Sequence, residues 1–259
     1  MTQKAELSQF AHERIKRVVY NNAVWCDTVC RVHGLPGEFK DVLWVNRHET
    51  PRFYPNVVTL VGAEASATQL EWIQNLLEAG ISGNWGVKDS FCTLNLVQEG
   101  FAVLFEAQWL YRSALLPKAD KRIADVRWLK IDKAPALMEW ETAWAGHSAD
   151  EVCEKQPQIF MPGLLVNENI TMLAAYKSHR IIAGAIAFRN YDVIGLTNVF
   201  LPTDDTENFL ADCIFLVMDL FEGLPIVGYA AGQRIALLQA QGFESIGSLR
   251  VWRRERELW

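Results

Sequence analysis

No stretch of this sequence is long and apolar enough to cross a bilayer. Its most hydrophobic segment, Phe209 to Phe221, is short and interrupted by Asp212 and Asp219. Basic residues are not in excess: 25 Lys+Arg stand against 31 Asp+Glu, for a formal net charge of -6. Nucleic acid and membrane are therefore not expected partners, because neutralising phosphates takes clustered cations. A Gly-x-Ser-x-Gly elbow, a Walker loop, a His-Glu-x-x-His pair and a Gly-rich dinucleotide fingerprint are all missing, which removes the chemistries those motifs carry. Cysteine is scarce and odd in number, at five. The opening residues, MTQKAELSQFAHERIKRVVY, alternate charge with apolar side chains and read as neither a signal peptide nor an anchor. Reduced thiols in a cytoplasmic protein follow as the expectation. Cys26, Cys30 and His33 are spaced loosely like a metal set, but the two cysteines sit one helical turn apart on an apolar stripe. They read as buried thiols, and no metal is expected.

What is present is an ordinary globular composition of 259 residues, 50% hydrophobic and 22% charged, with 10 Trp. At about 150 residues per domain this gives one to two domains. Leu7 to Val32 has the period of one long helix stopped by Gly34 and Pro36. Asn56–Val61 reads as a buried strand, Ser66–Ala79 as a helix, and Val87–Phe91 and Phe101–Tyr111 as strands. The polar segment Pro117 to Arg122 (PKADKR) is the candidate linker, which places domains at 1–117 and 123–259. Beyond it come a strand (Asp125–Leu129), a helix (Ala134–Trp144), a hairpin (Ile170–Ala175 and Ile181–Phe188) and a strand (Val193–Leu201). An almost wholly apolar helix (Glu207–Phe221), a strand (Pro225–Tyr229), a helix (Ala231–Gln241) and a closing strand (Glu244–Trp252) complete the chain. The fold class is mixed α/β (α+β), a central mixed sheet flanked by helices.

The two halves echo each other. In each, a strand leads to a helix ending at a glycine (Gly80, Gly223), then a strand, a short helix, a Gly-Phe pair (Gly100-Phe101, Gly242-Phe243) and a strand with Trp and Arg (Trp109 and Arg112; Trp252 and Arg253). The glycine-to-glycine spacings differ by one residue. Two related halves are the simplest account.

Arg234 to Trp252, RIALLQAQGFESIGSLRVW, resembles the late helix, Gly-Phe turn and final strand of the GCN5-related N-acetyltransferase (GNAT) family. The hairpin, bulged strand and helix upstream stand in the family's order, so the resemblance covers about Ala124 to Trp259, with the first half as a shorter, eroded copy. It implies an acyl-CoA N-acyltransferase-like fold and transfer of an acyl group from acetyl-CoA to an amine, in a small molecule or a peptide. The alternative is an inactive GNAT-like ligand-binding or protein-interaction module. A monomer or a homodimer fits either.

Two departures bear on function. The family's pyrophosphate loop carries a cation and spaced glycines, whereas here it reads Pro202-Thr203-Asp204-Asp205-Thr206-Glu207. No Lys or Arg lies between Arg189 and Arg234, while seven acids do. Asp205 or Thr206 is expected to cap the following helix and so to occupy its donors. The position four residues before the Gly-Phe glycine, where many family members carry an acidic Tyr, is Leu238, and Leu96 in the upstream copy. The remaining candidates are Glu168 or His147 as base, Tyr229 beside the expected pantetheine groove, and Val199, Phe200, Leu201 and Thr206 as coenzyme contacts.

Overall fold

The computed structural model describes residues 3–80, 85–116, 123–146 and 157–255, with side chains from residue 11 onward. In chain order the elements are α1 (Gln3–Val32), β1 (Glu38–Phe39), β2 (Leu43–Val45), β3 (Val57–Thr59), α2 (Ser66–Glu78), β4 (Trp85–Asp89), β5 (Ala102–Arg112), β6 (Arg127–Lys130), α3 (Ala134–Trp144), β7 (Ile170–Lys177), β8 (Arg180–Asn190), β9 (Val193–Phe200), α4 (Thr206–Leu220), β10 (Ile226–Ala230), α5 (Gln233–Ala240) and β11 (Glu244–Arg254). This is the mixed α+β class that the sequence implies. Among the described residues no helix is long and apolar enough to cross a membrane.

The compact units are not the two sequence halves. One comprises Met1–Leu110, Tyr229–Gly232 and Ser245–Trp259; the other comprises Tyr111–Gly228 and Gln233–Glu244. The physical reason lies in the last strand. β11 pairs antiparallel with β4, from Arg250↔Asp89 to Arg254↔Trp85, so the C-terminal residues complete the first unit. The expected linker Pro117–Arg122 lies outside the described residues.

In the first unit the strand order is β1-β2-β3-β4-β11-β5, with β3 and β4 parallel across the α2 crossover. One sheet face packs Ile73 and Leu76 of α2 against Leu43, Val45, Val57, Val87 and Trp252. Another cluster joins Ala23, Cys26 and Cys30 of α1 to Trp44 and Val58. The thiols are thus core residues, as their helical stripe implies. Arg250 lies over the Trp252 ring at 5.3 Å, a cation–π contact along the closing strand.

No helix lies between β4 and Gly100. The buried Asp89 carboxylate accepts from the backbone N–H groups of Phe91, Thr93 and Leu94 at 3.4, 3.1 and 2.9 Å, so donors a helix would use are held in a loop. The two Gly-Phe turns nevertheless match bond for bond. Phe101 N–H donates to Leu96 O and Gly100 N–H to Val97 O, both at 3.1 Å. Phe243 N–H donates to Leu238 O at 3.1 Å and Gly242 N–H to Gln239 O at 2.9 Å. With φ of +80° at Gly100 and +85° at Gly242, both are Schellman turns.

In the second unit the order is β10-β9-β8-β7-β6. β9 and β10 are parallel across the α4 crossover, and the other pairs are antiparallel. α4 buries eight residues from Phe209 to Met218. Phe209 packs on Ala175 and Ala183. Elsewhere in the unit, α3 places Trp140 in edge-to-face contact with Phe160 at 5.4 Å and Phe200 at 5.3 Å.

Candidate functional site

β9 departs from regular pairing at its C-terminal end. Against β8, Ile186 faces Thr197 and Gly184 faces Phe200, so β9 carries an extra residue over this interval, a β-bulge. Asn198 sits inside it at φ +53°, the left-handed region that Asn tolerates better than most residues. The Thr197 hydroxyl donates to Asn198 Oδ1 at 2.9 Å. The crowding of Gly184 fits the bulge: a Cβ there would stand 2.5 Å from both the Phe200 ring and Trp140 Nε1, and 2.8 Å from Leu173 O.

On its other side β9 registers with β10 at two positions only, Ile194↔Ile226 and Gly195↔Val227. Gly228 approaches closely enough that a Cβ would meet Leu196 O at 2.8 Å. No ladder partner on β10 follows beyond that point, and the Val199 carbonyl instead accepts from Arg234 Nη1 of α5 at 3.4 Å. A bulged strand that parts from its parallel neighbour leaves main-chain groups beyond the ladder.

The loop and helix that follow are less closed than the residues suggest. Thr206 turns its hydroxyl back to Pro202 O at 2.7 Å, and Asp205 Oδ1 accepts from Asn208 Nδ2 at 2.7 Å. Neither bond caps α4, whose N-terminus has no side-chain cap, so the expectation that Asp205 or Thr206 occupies its donors is corrected. Asp204 and Glu207 are exposed. Sequence reasoning counted no cation across this region and missed Arg234. It follows the barren interval in sequence, yet α5 returns it to β9.

No family model and no curated protein matches this sequence. Solved structures do. A GCN5-related N-acetyltransferase from Kribbella flavida aligns over 93% of this chain and 95% of that one, at 14% identity and a TM-score of 0.62. A GCN5-related N-acetyltransferase-like protein from Streptococcus suis aligns over 95% and 99%, at 14% identity and a TM-score of 0.51. A functionally unknown conserved protein from Staphylococcus epidermidis aligns over 82% and 84%, at 11% identity and a TM-score of 0.56. The chain has the GNAT fold. At identities this low the likeness is one of fold.

Within the GNAT fold the candidate residues scatter. Val199, Phe200 and Leu201 form or follow the bulge, and Thr206 opens α4. Phe200 turns its ring onto Trp140, while Leu201 packs with the Phe209 cluster. Glu168 is exposed just before β7. β7 begins opposite Phe188, while the bulge end of β9 lies level with Gly184 and Ala174. Those levels are four residue steps apart, about 13 Å at the ordinary strand rise, so Glu168 is not brought to the bulge. His147 lies outside the described residues. Leu238 is half-buried and Leu96 fully buried, and both serve as Schellman carbonyls. Tyr229 on β10 belongs to the first unit. Its ring meets Trp109 edge-on at 5.6 Å and stacks on Phe105 at 6.4 Å. Among the described residues no cluster of His, Cys, Asp or Glu is arranged to hold a metal.

Proposed function

We propose that this protein is an N-acetyltransferase that uses acetyl-CoA to acylate an amine of a small molecule or peptide. The observation that carries the reading is the bulge at Asn198 on a strand whose pairing to β10 ends at Gly195. The residues suit the cosubstrate. Val199 and Leu201 would offer main-chain groups to the pantetheine arm. The uncapped first turn of α4 and the Arg234 guanidinium would face the pyrophosphate. The exposed Asp204 and Glu207 would oppose it by only about 1 kcal/mol each, since solvent screens them. Bound acetyl-CoA supplies an activated thioester. The matched Schellman turns and the two parallel strand–helix–strand crossovers support reading the units as two copies of one module, the first eroded. Placement in the cytoplasm, as a monomer or homodimer, is part of the same reading.

The test is a thermal midpoint with and without acetyl-CoA. At 100 times its dissociation constant a ligand adds about 2.7 kcal/mol, a rise of several degrees for a chain this size. A saturable rise supports the cosubstrate. Silence from both acetyl-CoA and coenzyme A sinks it and leaves the second reading, a GNAT-fold binding module. The glycine-free acidic loop and Leu238 favour that second reading.

A further inference from the structure

Asn198 stands in the β9 bulge at φ +53°, a conformation that glycine takes at no steric cost and most other residues adopt reluctantly. The backbone there does not call for a side chain, and Asn198 is only partly buried, so packing does not call for one either. Its hydrogen-bond partner is its own neighbour. The Thr197 hydroxyl donates to Asn198 Oδ1 at 2.9 Å, which fixes the amide with its oxygen turned toward Thr197. Thr197 is itself held in register, opposite Ile186 of β8. The two N–H donors of Asn198 Nδ2 have no partner among the described residues. An amide fixed this way presents donors, so the ligand group that suits it is an acceptor oxygen rather than an ammonium.

Its position narrows the ligand further. β9 last pairs with β10 at Gly195, three residues before Asn198, so the amide stands just past the apex where the strands part. The helix α4 begins at Thr206, beyond the other end of the same stretch. On the transferase reading, on which this inference rests, the pyrophosphate lies at that helix start and the pantetheine arm runs back along Leu201 and Val199. The acyl end then arrives at the apex, beside Asn198. A thioester brings one strong acceptor there, its carbonyl oxygen. Charge gathers on this oxygen during acyl transfer, and a donor already oriented by its neighbour needs no reorganisation at that moment.

We propose that the Asn198 side-chain amide donates to the thioester carbonyl of acetyl-CoA, with Thr197 as the positioning residue that holds the amide in place. Free coenzyme A lacks that carbonyl, so the bond favours the acylated form alone.

The experiment uses the full chain and two readouts. One is calorimetric titration with acetyl-CoA and, separately, with coenzyme A; the other is the 13C resonance of acetyl-CoA labelled at its acetyl carbonyl. In wild type the bound carbonyl should resonate downfield of free acetyl-CoA, as a hydrogen-bonded carbonyl does. N198G suits the backbone at φ +53°, and N198D keeps the shape while replacing the donors by oxygen. Each should return the resonance to its free position. Each should also weaken acetyl-CoA relative to coenzyme A by about 2- to 10-fold, the worth of one hydrogen bond. T197V should lose part of the shift and bind coenzyme A as wild type does. A wild type that binds neither form sinks the transferase reading and this inference with it. A wild type that binds acetyl-CoA with no downfield shift overturns the Asn198 assignment alone, and so does a shift that survives both N198G and N198D.

Discussion

Replacing Gly184 by alanine puts one methyl group where the structure has no room. Its Cβ would lie 2.5 Å from the Phe200 ring and from Trp140 Nε1, and 2.8 Å from the Leu173 carbonyl. The side chains can retreat, but Leu173 O belongs to the β7–β8 ladder and cannot move without breaking it. Trp140 Nε1 also donates to that carbonyl at 2.9 Å, so a retreating indole gives up a buried hydrogen bond. Overpacking of this kind costs about 1–3 kcal/mol, and a buried donor left unpaired about 1–3 more. Some of the two losses overlap, which makes about 2–4 kcal/mol the working figure. For a unit of this size that is a fall of roughly 5–12 °C in midpoint. Urea unfolding followed by near-ultraviolet circular dichroism measures it through the Trp140 environment. Adding F200L to G184A should recover only part of the loss, because the carbonyl clash remains. A G184A protein within about 0.5 kcal/mol of wild type, with its Trp140 signal unchanged, would falsify the packing argument.

The bulge offers a sharper pair of substitutions. N198G should hold stability within about 0.5 kcal/mol, while the β-branched N198V at φ +53° should cost about 1–2 kcal/mol and weaken acetyl-CoA binding, both readable by calorimetry. R234A removes an exposed contact to Val199 O. It should leave the midpoint unchanged while weakening acetyl-CoA about 3- to 10-fold in a titration. Burial, and secondarily Asp212, pushes the Cys213 thiol from its ordinary 9.0 up to about 12. The stability it holds is complete below pH 9 and drains as pH rises toward 12, at about 1.4 kcal/mol per unit, so urea midpoints in that range should fall less steeply in C213A.

Element order and type were legible because burial writes a period into the sequence. The Ala134–Trp144 helix carries its apolar spacing without interruption, and the run at Ile170–Ala175, apolar but for Thr171, is buried along its length. β1 and β2 escaped because two or three residues hold no period. The loop before Gly100 was misread for a related reason. The expected helix rested on the order of elements in the other half, and only a carboxylate pointing inward from Asp89 decides against it. Of the candidate site, the bulge in the strand Val193–Leu201 was legible, because the family's element order implies it whatever the side chains. Arg234 was not legible, because its contact is with Val199, distant in sequence.

The pairing of β4 with β11 also sets a schedule for biosynthesis. Trp85–Asp89 emerges early, yet the strand that covers it starts at Glu244, so at ordinary elongation rates its partner arrives roughly 8 to 30 s later. Through that interval the nascent chain carries a strand edge with Trp85 and Val87 on it, open to any extended peptide nearby. Ribosome-bound intermediates ending before residue 244 should therefore bind a holdase chaperone and lose it once the residues through Arg254 clear the exit tunnel, which makes the last strand the timing signal for folding the first.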